Sequence, residues 1–177
     1  AIKSFHKRLV RWQSFLQRHG PDGLGDEERC GLFGELLVLR DLLLPRIPAL
    51  RVLRAWRGCQ RAHQDFQFPD WATTVKTTRA PIPDRISISN IQQLDPDGMD
   101  RMLLSVVHVH QNETTGETLP GIVNSLGASI PEDAGELLKD GLAEVGYADA
   151  HADLYSRTRY QQIELRHFEV RDGFPRL

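Results

Sequence analysis

Only two cysteines occur in 177 residues, Cys30 and Cys59, and they lie far apart with no Cys-x-x-Cys pair. That excludes a disulfide framework and a zinc knuckle, and it suits a reducing compartment, so the expected location is the cytoplasm. No apolar run approaches the roughly 20 residues that a membrane helix needs. The nearest, Leu42-Leu43-Leu44, is ended by Pro45, so no membrane association is expected. No signal peptide is visible, because the opening stretch carries Lys3, Lys7, Arg8 and Arg11 and is amphipathic rather than evenly apolar. A phosphate-cradling loop is also missing: Gly20-Pro21-Asp22-Gly23-Leu24-Gly25 is not followed by Lys-Ser/Thr. There are no repeats and no low-complexity segments. The first residue is not methionine, and the expectation is a piece of a longer protein.

What is present is an ordinary globular composition, 40% hydrophobic and 26% charged, fitting one domain with a sizeable core. Net charge is −2, but it is unevenly spread. Residues 1–61 hold 12 Lys/Arg against 6 Asp/Glu, and residues 62–177 hold 10 against 18. A basic first third beside an acidic remainder can make a one-sided positive field, densest along Arg51, Arg54, Arg57 and Arg61. A plain solvated face fits that series as well.

Ile2, Phe5, Leu9, Trp12 and Leu16 recur at helical steps, and Gly20-Pro21 stops that helix. Asp26-Glu27-Glu28 suits the start of a second helix, reaching about Leu44 and apolar nearly all round. Glu35 falls on the face of Leu32, Leu36 and Leu39 and points inward, where a carboxylate must be paired, protonated or metal-bound. Gly31 and Gly34 suggest close approach to a sheet. Strands are expected at Arg51–Trp56, His63–Phe68, Trp71–Thr78 (after a Pro69-Asp70 turn), Arg85–Ile91, Met102–Val109 and Tyr160–Val170. A strand entering a short helix is the alternative at Arg85–Ile91. The apolar phase of the last strand shifts between Leu165 and Phe168, hinting at a bulge. Helices are expected near 119–128 and 131–145. The order is that of an α/β layered core.

The chemistry centres on Asp65 and, two strand positions apart, Thr74 and Lys76. Alternation puts Thr74 and Lys76 on one strand face, and Asp65 on the paired strand can share it. Glu35 could approach from the packed helix. Carboxylates suit Mg²⁺, and a lysine beside them can stabilise charge on a phosphorane. A surface hairpin carrying an acid and a lysine gives the same spacing. His108 and His110, two apart on a strand, and Cys30, a small residue on the helix, read as structural. Trp12, Trp56 and Trp71 read as core or interface.

Several segments together resemble one family: Gly31-Leu32-Phe33-Gly34-Glu35-Leu36-Leu37-Val38-Leu39, Ala55-Trp56-Arg57-Gly58, His63-Gln64-Asp65-Phe66, Val75-Lys76-Thr77-Thr78-Arg79, Arg85-Ile86-Ser87 and Gln93-Leu94-Asp95. The resemblance, over about residues 25–177, is to PD-(D/E)XK motif proteins found among bacterial restriction and phage-defence genes. It implies a restriction-endonuclease-like αβββαβ core in residues 25–177, preceded by residues 1–24 as the end of a truncated N-terminal region. It implies Mg²⁺-dependent DNA cleavage, with Mn²⁺ an alternative ion. Asp65 takes the place of the metal-binding acid, Lys76 that of the catalytic lysine, and Glu35 that of the helix acid. The Val75 carbonyl stands where such proteins offer a ligand oxygen, and Pro69-Asp70 is a decoy too close to Thr74. Gln93 matches a family glutamine without an assigned role. Arg51, Arg54, Arg57, Arg61 and Arg79 are the DNA-binding candidates. Thr74 departs from the family, which usually has glutamate there. Three readings of it stand open: metal held by Asp65 and Glu35 alone, cleavage lost with DNA binding kept, or an introduced inactivating change. A non-catalytic DNA-binding or scaffold subunit is therefore the rival to an endonuclease. Other defence proteins and a homodimer are partners that the resemblance leaves open.

Overall fold

A computed structural model describes residues 23–58, 63–80, 86–88, 91–95 and 98–174. The expected helix over Ile2–Leu16, together with Cys59, Arg61 and Arg85, lies outside these residues.

Helix α1, Asp26–Leu37, starts where Glu28 folds back to accept the Gly25 N–H at 2.8 Å. Its first turn carries Asp26, Glu27 and Glu28, acids that the positive end of the helix dipole favours. The helix continues as a π-helical segment, Val38–Leu43, so it reaches the expected end before Pro45. Leu32, Phe33, Leu36, Leu37, Val38 and Leu39 are all buried, as an apolar-all-round helix must be. Gly34 makes the close approach expected of it: a Cβ there would overlap the Thr77 hydroxyl of the sheet. Gly31 does not, since a Cβ there meets nothing.

The expected strand Arg51–Trp56 is instead helix α2, Ala49–Ala55. Val52, Leu53, Ala55 and Trp56 are buried while Arg51 and Arg54 are exposed, a three-residue step that a strand cannot place on one side. Pro48 at its N-cap supplies a fixed φ of −54°. The strand read at His63–Phe68 shrinks to β1, Phe66–Gln67. Strand β2 is Trp71–Thr78, as expected. Residues 86–88 form no strand, and a 3₁₀ turn follows at Ile91–Leu94. Strand β3, Arg101–Asn112, extends the buried run on both sides.

The polar loop ends in β4, Glu117–Thr118, and α3, Leu119–Ser129, where the Thr118 hydroxyl accepts the Gly121 N–H at 3.0 Å. Helix α4, Glu132–Val145, ends at Gly146 with φ 94°. A short α5, Ala152–Tyr155, leads into β5, Arg159–Val170. The bulge in β5 sits two residues before the expected place. His108 pairs with Glu164 and Val109 with Gln162, leaving Ile163 extra and 54% exposed.

The sheet runs β1-β2-β3-β5-β4. Only β2 and β3 are parallel; β1 on β2, β3 on β5 and β4 on β5 are antiparallel. One face carries the main core with the helices, and the other a smaller cluster of Ala72, Leu94, Met102, Leu104, Val106 and Val170. This mixed sheet with flanking helices is compatible with a restriction-endonuclease-like core. Among the described residues, no helix is long and apolar enough to cross a membrane.

Candidate metal centre

The site forms where β1 stops. Its two residues pair with Thr73 and Ala72, so β2 beyond Thr73 has no β1 residue beside it. Asp65, one step before β1, fills that gap: its Oδ2 accepts the Val75 N–H at 2.7 Å. Its main-chain carbonyl accepts the N–H groups of Arg57 and Gly58, at 2.7 and 2.9 Å. Three backbone donors thus fix Asp65 and leave its Oδ1 uncommitted to them.

Glu35 reaches the same place from the middle of α1. Its Oε2 accepts the Trp56 indole N–H at 2.8 Å. Trp56 is itself packed against Gly141 of α4, where a Cβ would come within 2.7 Å of its ring. A rigid aromatic donor therefore aims the carboxylate. The backbone crosses between the two acids at Gly58. A Cβ built there would stand 2.5 Å from Glu35 Oε2 and 3.1 Å from Asp65 Oδ1. Two carboxylate oxygens thus converge on one point that only glycine leaves free.

Their electrostatics agree with that geometry. Burial pushes Glu35 up to about 8, the Asp65 charge adds to the rise, and the Trp56 N–H and the Lys76 cation oppose it. Burial pushes Asp65 up to about 6, against the Val75 N–H and Lys76. Two partly buried acids set against each other hold protons more tightly than usual. Hard oxygen donors in this state are what a divalent ion would deprotonate and bind, so the pair fits such an ion. The acids are two and not three: among the described residues no cluster of three or more His, Cys, Asp or Glu side chains could hold a metal.

Thr74 stands on β2 two residues before Lys76. Its side chain is fully buried and its hydroxyl donates to the Gln93 carbonyl at 3.0 Å. Lys76 lies on the same face of β2, two residues on. Val75 enters the site through its N–H. Arg51 and Arg54 are exposed on α2, and Arg57 follows it with its N–H on Asp65. Arg79 is bound by Asp26, Glu27 and, at 2.6 Å, Gln111, so it ties the end of β2 to the start of α1. Cys30 is buried and its thiol is pushed up to about 11 by burial. A groove of about 420 Å³ lies elsewhere, near the start of β2, lined by Leu42, Arg46, Trp71, Ser105 and His167 among others.

Sequence reasoning missed the parts played by Trp56 and Gly58. Both sit inside the Ala55–Gly58 segment that carries the resemblance, but a helix misread as a strand hides which way the indole points.

The chain matches, over residues 1–177, the family model described as "Putative PD-(D/E)XK family member, (DUF4420)". No curated protein and no solved structure gives a match.

Proposed function

Because the chain belongs to this PD-(D/E)XK family, we propose that it is a metal-dependent DNA endonuclease with a reduced ligand set, serving in defence against foreign DNA. The observation that supports this most is the convergence of Glu35 Oε2 and Asp65 Oδ1 on the point above Gly58. Asp65 and Glu35 would hold a divalent ion, Mg²⁺ or Mn²⁺. Such an ion supplies an activated water and neutralises charge on the scissile phosphate.

The residues of this chain then divide the remaining work. The Asp65 main chain is held by the Arg57 and Gly58 N–H groups and its carboxylate by the Val75 N–H, so backbone donors set its place. Glu35 is oriented by Trp56. Lys76 places its ammonium on the face of β2 beside the acids, where charge develops on a pentacoordinate phosphate. The Val75 carbonyl is a candidate further ligand. Arg51, Arg54 and Arg57 would meet the DNA backbone, with Arg61 as a further candidate, while Arg79 would have to exchange Asp26 and Glu27 for a phosphate.

The test is nicking of supercoiled plasmid and degradation of linear phage DNA with Mg²⁺ or Mn²⁺. Cutting that is lost in Asp65→Asn and in Lys76→Ala is the expected result. Absence of cutting, with salt-sensitive DNA binding retained, sinks the nuclease reading. A second reading, a non-catalytic DNA-binding subunit on the same fold, would then take its place. The Thr74 hydroxyl favours that reading, being buried and committed to Gln93 rather than open to an ion.

A further inference from the structure

The Ile91–Leu94 turn is clamped onto the sheet from two sides. The Thr74 hydroxyl donates to Gln93 O at 3.0 Å, and the Gln64 amide donates to Gln92 O at 3.0 Å and to Asp95 O at 3.4 Å. Leu94 is buried in the smaller cluster. Gln93 is therefore held beside Thr74, the strand position without a second acid. Within this clamped turn, Gln93 Oε1 is shielded from water and, among the described residues, receives no hydrogen bond. A buried acceptor left bare costs about 1–3 kcal/mol, and such an atom in a native fold usually awaits a water or an ion.

We propose that the Gln93 side-chain oxygen is the third protein ligand of the divalent-ion site, replacing the carboxylate that Thr74 cannot supply. The inference rests on the reading of Asp65 and Glu35 as metal ligands. Amide oxygens are ordinary ligands for hard divalent cations. Thr74 then acts as a positioning residue. Its hydroxyl fixes the Gln93 backbone, and Gln64, the chain neighbour of Asp65, holds the same turn, so the turn is tied to the site through both. The substitution of a neutral oxygen for a carboxylate removes one negative charge from the site. It also means that Thr74→Glu does not restore a standard site, because a carboxylate at 74 meets the lone pairs of the Gln93 carbonyl and expels the turn.

The experiment is calorimetric titration of the whole chain with Mn²⁺, wild type beside Gln93→Met, Gln93→Glu and Asp65→Asn, with melting of each metal-free protein. Methionine keeps the length of the side chain and removes the bare acceptor. Gln93→Met is expected to weaken Mn²⁺ binding at least about tenfold while raising the melting temperature of the metal-free protein. Gln93→Glu is expected to tighten binding about tenfold or more, which an amide with a merely structural role would not do. If Asp65→Asn abolishes binding while Gln93→Met leaves it unchanged, the Gln93 inference is overturned and the Asp65/Glu35 site stands. If methionine and glutamate weaken binding alike, Gln93 acts only on the fold and the inference is again overturned. If the wild type takes up no Mn²⁺, or Asp65→Asn binds as well as the wild type, the underlying site fails and the inference with it.

Discussion

Replacing Glu35 with glutamine removes an ionisation and keeps the shape, including an oxygen for the Trp56 N–H. In the unfolded chain Glu35 ionises near its ordinary 4.5, whereas in the fold it holds its proton to about 8. The contribution of the neutral acid is therefore fully present below about 4.5 and is lost as pH rises through about 8. At about 1.36 kcal/mol per pH unit, the loss is on the order of 5 kcal/mol. For a chain of this size that corresponds to a melting temperature lower by roughly 10 °C. Asp65 acts in the same direction between 3.8 and about 6. The assay is thermal melting in chelator-treated buffer from pH 5 to pH 8.5. The wild type should lose stability across the whole range. Glu35→Gln should lose it only up to about pH 6, through Asp65, and should be the more stable protein at pH 8.5. Parallel curves for the two proteins would refute the claim that Glu35 is protonated at neutral pH because the fold withholds water from it and sets Asp65 beside it.

Gly58→Ala should push a methyl group between the two carboxylates, cost about 1–3 kcal/mol, and reduce Mn²⁺ affinity more than tenfold in a titration. Trp56→Phe should cost a similar amount by removing the indole donor and should raise the pH needed for half-maximal Mn²⁺ binding. Thr74→Val should leave the Gln93 carbonyl bare, cost about 1–3 kcal/mol, and speed amide exchange in residues 91–95. Cys30 should react with a thiol reagent at pH 8 only at the rate of unfolding, because its thiol is buried and protonated there; fast labelling would contradict its burial.

The long elements were legible in the sequence because their periodicity is strong. The all-apolar α1 and the β-branched strands β2 and β3 are of this kind, as is α4, framed by Pro131 and Gly146. The failures are short. Val52, Leu53 and Ala55 with Arg51 and Arg54 make too few turns for a helical period to outweigh their branched and aromatic content. β1 has two residues, and its existence depends on pairing with β2 rather than on its own preference. At the site, the inward aim of Glu35 followed from helical phase alone. The convergence over Gly58 and the bond from Thr74 to Gln93 did not, because both join segments distant in the chain and depend on where loops pass.

The early end of β1 has a consequence for the state of the protein in solution. Beyond Thr73, β2 offers backbone groups on its outer side, and the Asp65 carboxylate occupies the one at Val75. Bare strand borders recruit other chains, and a charge placed along them is a common safeguard. Asp65 guards the sheet border as well as lining the site. An Asp65→Ala protein would therefore be a poor inactive control, because it strips the Val75 N–H of its acceptor as well as removing an acid of the site, whereas Asp65→Asn keeps an oxygen for the Val75 N–H and separates the two duties.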